Sequence, residues 1–123
     1  MREGIYRRDE VTLVWPEIAT TETNVAPSTD TEIDCRNAKG IVIQVDQSST
    51  TYAGADTDIN ILTRSENSTT YDTVPFHEET SFGSAEVKSF TVQPAGFAYM
   101  KLRADNNSTS ASAKPRVIVQ VLG

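Results

Sequence analysis

Residues 40–47 read GIVIQVDQ. In an extended chain Ile41, Ile43 and Val45 fall on one side, and Val42, Gln44 and Asp46 on the other. Side chains alternate along a strand, so this spacing predicts a half-buried β-strand rather than a helix. The pattern recurs. TDINILTR (57–64) turns Ile59 and Ile61 inward and Asp58, Asn60 and Arg64 outward. FAYMKLRA (97–104) sets Ala98, Met100 and Leu102 against Tyr99, Lys101 and Arg103. RVIVQVL (116–122) sets Val117, Val119 and Val121 against Ile118, Gln120 and Leu122.

Weaker strand patterns lie at 11–15, 31–35, 69–76 and 86–92, separated by turn-forming clusters such as Pro27-Ser28-Thr29-Asp30 and Asn37-Ala38-Lys39-Gly40. About eight short strands with punctuated turns predict an all-β fold, an antiparallel β-sandwich. A jelly roll of two four-stranded sheets is its simplest form. SENSTTYD (65–72) reads as a hairpin tip, with Asn67 and Ser68 at the turn and Tyr71 re-entering the core. DNNSTSASAKP (105–115) reads as an exposed, flexible connection. Residues 1–30 are expected to form an extended N-terminal arm with the first strand, and 31–123 the sandwich, within a single domain overall.

The composition supports strands over helices. The chain has 123 residues, which fits one core, and among them only four leucines. The net charge is −6, unsuited to tracking a phosphate backbone, so no nucleic-acid partner is expected. Arg2, Arg7 and Arg8 against Glu3 make the first eight residues +2 and leave −8 on the remainder. A basic arm on an acidic body suits docking on an acidic protein surface, though a frayed, solvated terminus has the same composition. No apolar run approaches the ~20 residues that span a bilayer, so no membrane partner is expected. No apolar segment of the signal-peptide kind follows MREGIYRRDEV, which places synthesis in the cytoplasm as an expectation.

Catalytic residue types are scarce. The single histidine, His77, stands in VPFHEET without a nucleophile elbow and reads as a surface residue at a strand end. The single cysteine, Cys35, reads as a buried thiol. One of each leaves no zinc site. Asp56, Asp58 and Asn60 alternate, with Asp46 on the preceding strand. In a loop such oxygens can converge on calcium; in a strand they simply mark the solvent face. No enzyme activity and no cofactor are expected.

The order of the chain carries a resemblance. An A-x-T-x-T segment (19–23) precedes GIVIQV (40–45), then the 65–72 hairpin, GFAYMKLR (96–103) and RVIVQV (116–121). This order resembles small virion proteins of tailed bacteriophages, of the head-decoration or head–tail accessory type. The resemblance implies a non-enzymatic virion structural protein. It would decorate or cement the capsid or head–tail region through contacts with major capsid or other virion proteins, as a homo-oligomer such as a trimer. The candidate interface residues are Arg2, Tyr6, Arg7, Arg8 and Trp15, on the arm and at its junction with the sandwich. The alternative is a carbohydrate-binding β-sandwich module using Tyr52, Tyr71 and Tyr99.

Overall fold

A computed structural model describes residues 7–48, 55–83, 85–94 and 96–123. Eight strands are present among them: β1 (Arg7–Val14), β2 (Ile33–Asp34), β3 (Gly40–Asp46), β4 (Asp56–Arg64), β5 (His77–Gly83), β6 (Val87–Val92), β7 (Tyr99–Asn106) and β8 (Arg116–Leu122). They form two four-stranded sheets, ordered β1-β8-β3-β6 and β2-β7-β4-β5. All the pairings are antiparallel. The pairs β1–β8, β2–β7, β3–β6 and β4–β5 nest like one folded ribbon wrapped across two sheets, which is the jelly-roll order.

The alternating residues make the core. In the first sheet Ile41, Ile43 and Val45 lie opposite Val121, Val119 and Val117, and Leu13 continues the Val117 row. In the second sheet Ile59 and Ile61 face Ala104 and Leu102 across the β4–β7 ladder. All of these are buried. β-Branched side chains suit this pleated, one-sided burial, and each full burial contributes about 2 kcal/mol. At one end the fully buried Gln47 donates from Nε2 to Thr57 Oγ1 and to the Phe82 carbonyl, both at 2.9 Å, and so ties β3 to β4 and β5.

Three expectations change. The segment 69–76 is not a strand: residues 65–76 form one long connection, and β5 begins at His77. Tyr71 does not enter the core; it lies half-buried with its hydroxyl donating to Glu32 Oε2 at 2.7 Å. Ionic and cation–π partners beside Arg64 hold it there more cheaply than a buried hydroxyl could be accommodated. The 107–115 connection is packed, not loose. The buried Asn106 donates to the carbonyls of Ile18, Ala19 and Ala111, and Ala111, Ala113 and Pro115 are buried beneath it.

The described part of the expected arm is built into the sandwich. β1 pairs with β8 along its length. Beyond it, Ile18 and Ala113 exchange hydrogen bonds at 2.7 and 3.0 Å, as do Val25 and Ala104 at 2.9 and 3.0 Å. Residues 15–30 thus cross from the edge of one sheet to the edge of the other.

Candidate functional site

Strand parity places one row of polar side chains on the outer face of the second sheet. β4 contributes Asp58, Asn60 and Arg64, β7 contributes Tyr99, Lys101, Arg103 and Asp105, and β5 contributes Glu78, opposite Asn60. The face divides into two halves of different electrostatic character.

The half near the start of β7 is charge-matched. Arg64 is held by both oxygens of Glu32 at 2.9 and 3.0 Å and donates to the carbonyls of Ser65 and Ser68. Its guanidinium lies 4.1 Å from the Tyr99 ring centroid and 5.7 Å from that of Tyr71. Arg36 binds Asp34 and Glu66 and approaches the Tyr99 ring at 5.2 Å. Arg103 grips Asp30 at 2.8 and 3.0 Å. These cations leave a mark on their partners. Hydrogen bonds from Arg64 and then Tyr71 lower the Glu32 pKa, and the Arg36 side chain followed by its backbone N–H holds Asp34 at about 2. Burial, then the Glu32 carboxylate, pushes the Tyr71 hydroxyl up.

The half at the other end of the same strands is of one sign. Oxygens of Asp58, Glu78 and Asp105 all lie within 4.8 Å of one another. Asn60 stands among them, 6% exposed, donating from Nδ2 to Asp105 Oδ2 at 3.0 Å. The backbone N–H of Asn24 donates to Asp105 Oδ1 at 2.6 Å, and Asn107 Nδ2 to Asp58 Oδ2 at 2.7 Å. Asn24 has a φ of 56°, a left-handed conformation that asparagine tolerates and that presents its N–H to the carboxylate.

The residues expected from sequence have varied positions. Arg2, Tyr6 and Tyr52 lie outside the described residues, as does the side chain of Arg7. Arg8 reaches across to the second sheet, donating to the carbonyls of Arg36 at 2.5 Å and Asp34 at 2.7 Å. It thereby borders an open cleft of about 720 Å³ between the sheet ends, lined also by Arg36, Glu66, Pro94 and Phe97. Trp15 is fully buried, its indole N–H donating to the Val25 carbonyl at 2.7 Å. Of the four oxygen-bearing residues singled out for calcium, Asp58 and Asn60 enter the acidic half. Asp46 belongs to the first sheet, where its carboxylate caps the Ser48 N–H. Glu78 and Asp105 were missed, because only the strand pairing brings them to Asp58.

Other chemistry is muted. Burial, then Asp34, pushes the Cys35 thiol up to about 12, so it is not a thiolate at neutral pH. His77 Nε2 lies 2.9 Å from Glu79 Oε2, and its ring stacks on Phe90 at 5.7 Å. Four large apolar side chains are exposed among the described residues: Val14 on β1, Val87 on β6, and Val74 and Phe76 in the connection before β5. Val74 is 75% and Phe76 45% exposed, and Phe76 meets Phe97 edge-on at 4.9 Å.

No protein-family model and no curated protein matches the sequence. Among solved structures, the chain is similar to the SPBc2 prophage-derived protein YomS, at 12% identity and a TM-score of 0.50 over 100% of this chain and 98% of that one. It is also matched to a structure described as Bacillus endospore appendages that form a novel family of disulfide-linked pili, at 18% identity and a TM-score of 0.44 over 99% and 89% of the two chains. The likeness to YomS is one of fold.

Proposed function

We propose that the chain is a non-enzymatic structural protein of a bacteriophage particle, cementing neighbouring subunits of the capsid or head–tail region through its surface. The observation that carries this reading is the jelly-roll order of the two sheets, whose fold is shared over nearly the whole length of both chains with a prophage-derived protein. A jelly roll serves many purposes, among them viral shells and lectins, so the side chains must decide between them. They favour contact with protein. Cys35 is buried, so its thiol is not offered to a substrate as a nucleophile. Of the tyrosines a sugar would stack on, the two described ones carry cations on their rings, Arg64 and Arg36 on Tyr99 and Lys101 on Tyr71.

The contact surface centres on Val74 and Phe76, two exposed apolar residues on one connection, rather than on Trp15, which is buried in the core. Each copy would add stability to the particle by mass action and by engaging more than one neighbour. Virion proteins are the partners, and a symmetric oligomer of this chain is one way to present several such surfaces.

The test is cosedimentation of the full-length chain with particles that lack it. Wild type is expected to sediment with them. A Val74→Asp, Phe76→Ser variant is expected to stay in the supernatant while keeping its circular dichroism spectrum and thermal midpoint. A wild-type chain that never sediments with particles overturns the reading.

A further inference from the structure

The acidic half of the second sheet contains two unusual features at one place. Three carboxylates from three different strands converge, Asp58 from β4, Glu78 from β5 and Asp105 from β7. Among them the buried Asn60 has an Oδ1 atom that accepts no hydrogen bond from any described residue. An unsatisfied buried amide oxygen is destabilising, and native structures contain few of them. Mutual repulsion of the carboxylates adds to that cost. The cations of the same face are committed elsewhere: Arg103, opposite Asn60 on β7, holds Asp30 with both terminal nitrogens.

We propose that Asp58, Glu78, Asp105 and the side-chain oxygen of Asn60 form a binding site for a single divalent cation, calcium in preference to magnesium. The donor set is all oxygen, which suits a hard cation. Ligands on opposite sides of calcium stand roughly 4.8 Å apart, twice its oxygen distance of about 2.4 Å, and the three carboxylate oxygens lie within that distance of one another. Four side chains leave room for water to complete six to eight ligands, as calcium accepts. Magnesium demands a tighter octahedron and gives up its water reluctantly. Asn60 Nδ2 donates to the Asp105 carboxylate and so fixes the amide within the cluster, while its Oδ1, without a donor among the described residues, is available as a ligand. The Asn24 N–H and the Asn107 amide orient the Asp105 and Asp58 carboxylates, and each carboxylate oxygen retains a second lone pair. Through these partners the ion would fasten β4, β5 and β7 to the 15–30 crossing segment. The site does not depend on the proposed particle role, and its test uses the isolated chain.

Calorimetric titration of the metal-stripped full-length chain with calcium chloride is the test, with thermal unfolding in parallel. One site per chain is expected, with a dissociation constant of about 10⁻⁶–10⁻³ M, and a thermal midpoint that rises with calcium. Glu78→Gln, at an exposed position that leaves the fold intact, is expected to weaken binding about tenfold or more; Asp105→Asn is expected to do the same. Asp46→Asn, on the other sheet, is expected to bind as wild type does. Absence of both binding heat and a midpoint shift overturns the site. So does an equal shift with magnesium, or unweakened binding by Glu78→Gln and Asp105→Asn together, since either reduces the effect to general screening of an acidic chain.

Discussion

Two halves of one sheet face, built on the same strands, solve opposite problems. Around Arg64 each acid has a base: Glu32 and Arg64 bind through two hydrogen bonds, Asp30 and Arg103 likewise, and tyrosine rings lie against the guanidinium groups. Around Asn60 the acids face one another. The first half is complete in the polypeptide alone and acts as a clamp between the 30–36 segment, β4 and the 65–76 connection. In the second, three carboxylates stand together and the buried Asn60 Oδ1 has no hydrogen-bond donor among the described residues. What distinguishes them is the destination of the arginines, since strand parity and burial are similar in both.

The comparison breaks most visibly at Arg64. Arg64→Ala removes the clamp's central cation and leaves Glu32 and the Ser65 and Ser68 carbonyls without it. We expect a loss of about 2 kcal/mol in urea unfolding, below the range for fully buried pairs because Glu32 is partly exposed. Tyr71→Phe deletes one charge-assisted hydrogen bond to Glu32, and about 1 kcal/mol should go with it in the same measurement.

Acid offers a graded version of the same loss. Asp34 protonates at about 2 when folded against 3.8 as its ordinary value, so the unfolded chain binds the proton first as the pH falls. Its contribution is therefore present above pH 4 and disappears between about pH 4 and pH 2. Glu32, with its pKa also lowered, adds to the loss with the same sign. The urea midpoint should fall through that window, less steeply in Asp34→Asn; identical slopes in the two proteins would contradict the ion-pair assignment.

The smallest effect has the opposite sign. In chelator, Glu78→Gln relieves like-charge repulsion and should raise stability by about 0.5 kcal/mol, whereas Glu32→Gln in the matched half should lower it. Two changes of the same chemistry would then move stability in opposite directions on one face. Equal signs would remove the distinction between the halves.

Much of the framework was legible in sequence. The period-two runs at 40–47, 57–64, 97–104 and 116–122 became β3, β4, β7 and β8, since a strand buried on one face must alternate. β5 was not legible. HEETSFG is an edge strand in which Phe82 is the buried apolar residue, so it lacks the pattern, while TTYDTVPF has the pattern without the pairing. Tyr71 shows why: aromatic alternation also arises when a ring lies over cations on the outer face. Trp15 and Arg8 looked like arm residues because the bonds that hold them, to Val25 and to the Asp34 and Arg36 carbonyls, join segments distant in sequence. The acidic cluster was half visible. Asp58 and Asn60 stood out by their spacing, but Glu78 and Asp105 join them only through the β4–β5 and β4–β7 registers. Deleting residues 1–15 would remove β1 and a core side chain, so trimming residues 1–6 is the cleaner way to probe the terminus.

A structural part of a particle is present in a fixed number, and this can be counted. Quantitative mass spectrometry of purified particles, washed at high salt, should return a constant ratio of this chain to the major shell protein across preparations. A chain that is absent, or present only in traces that vary and wash away, would contradict the particle role.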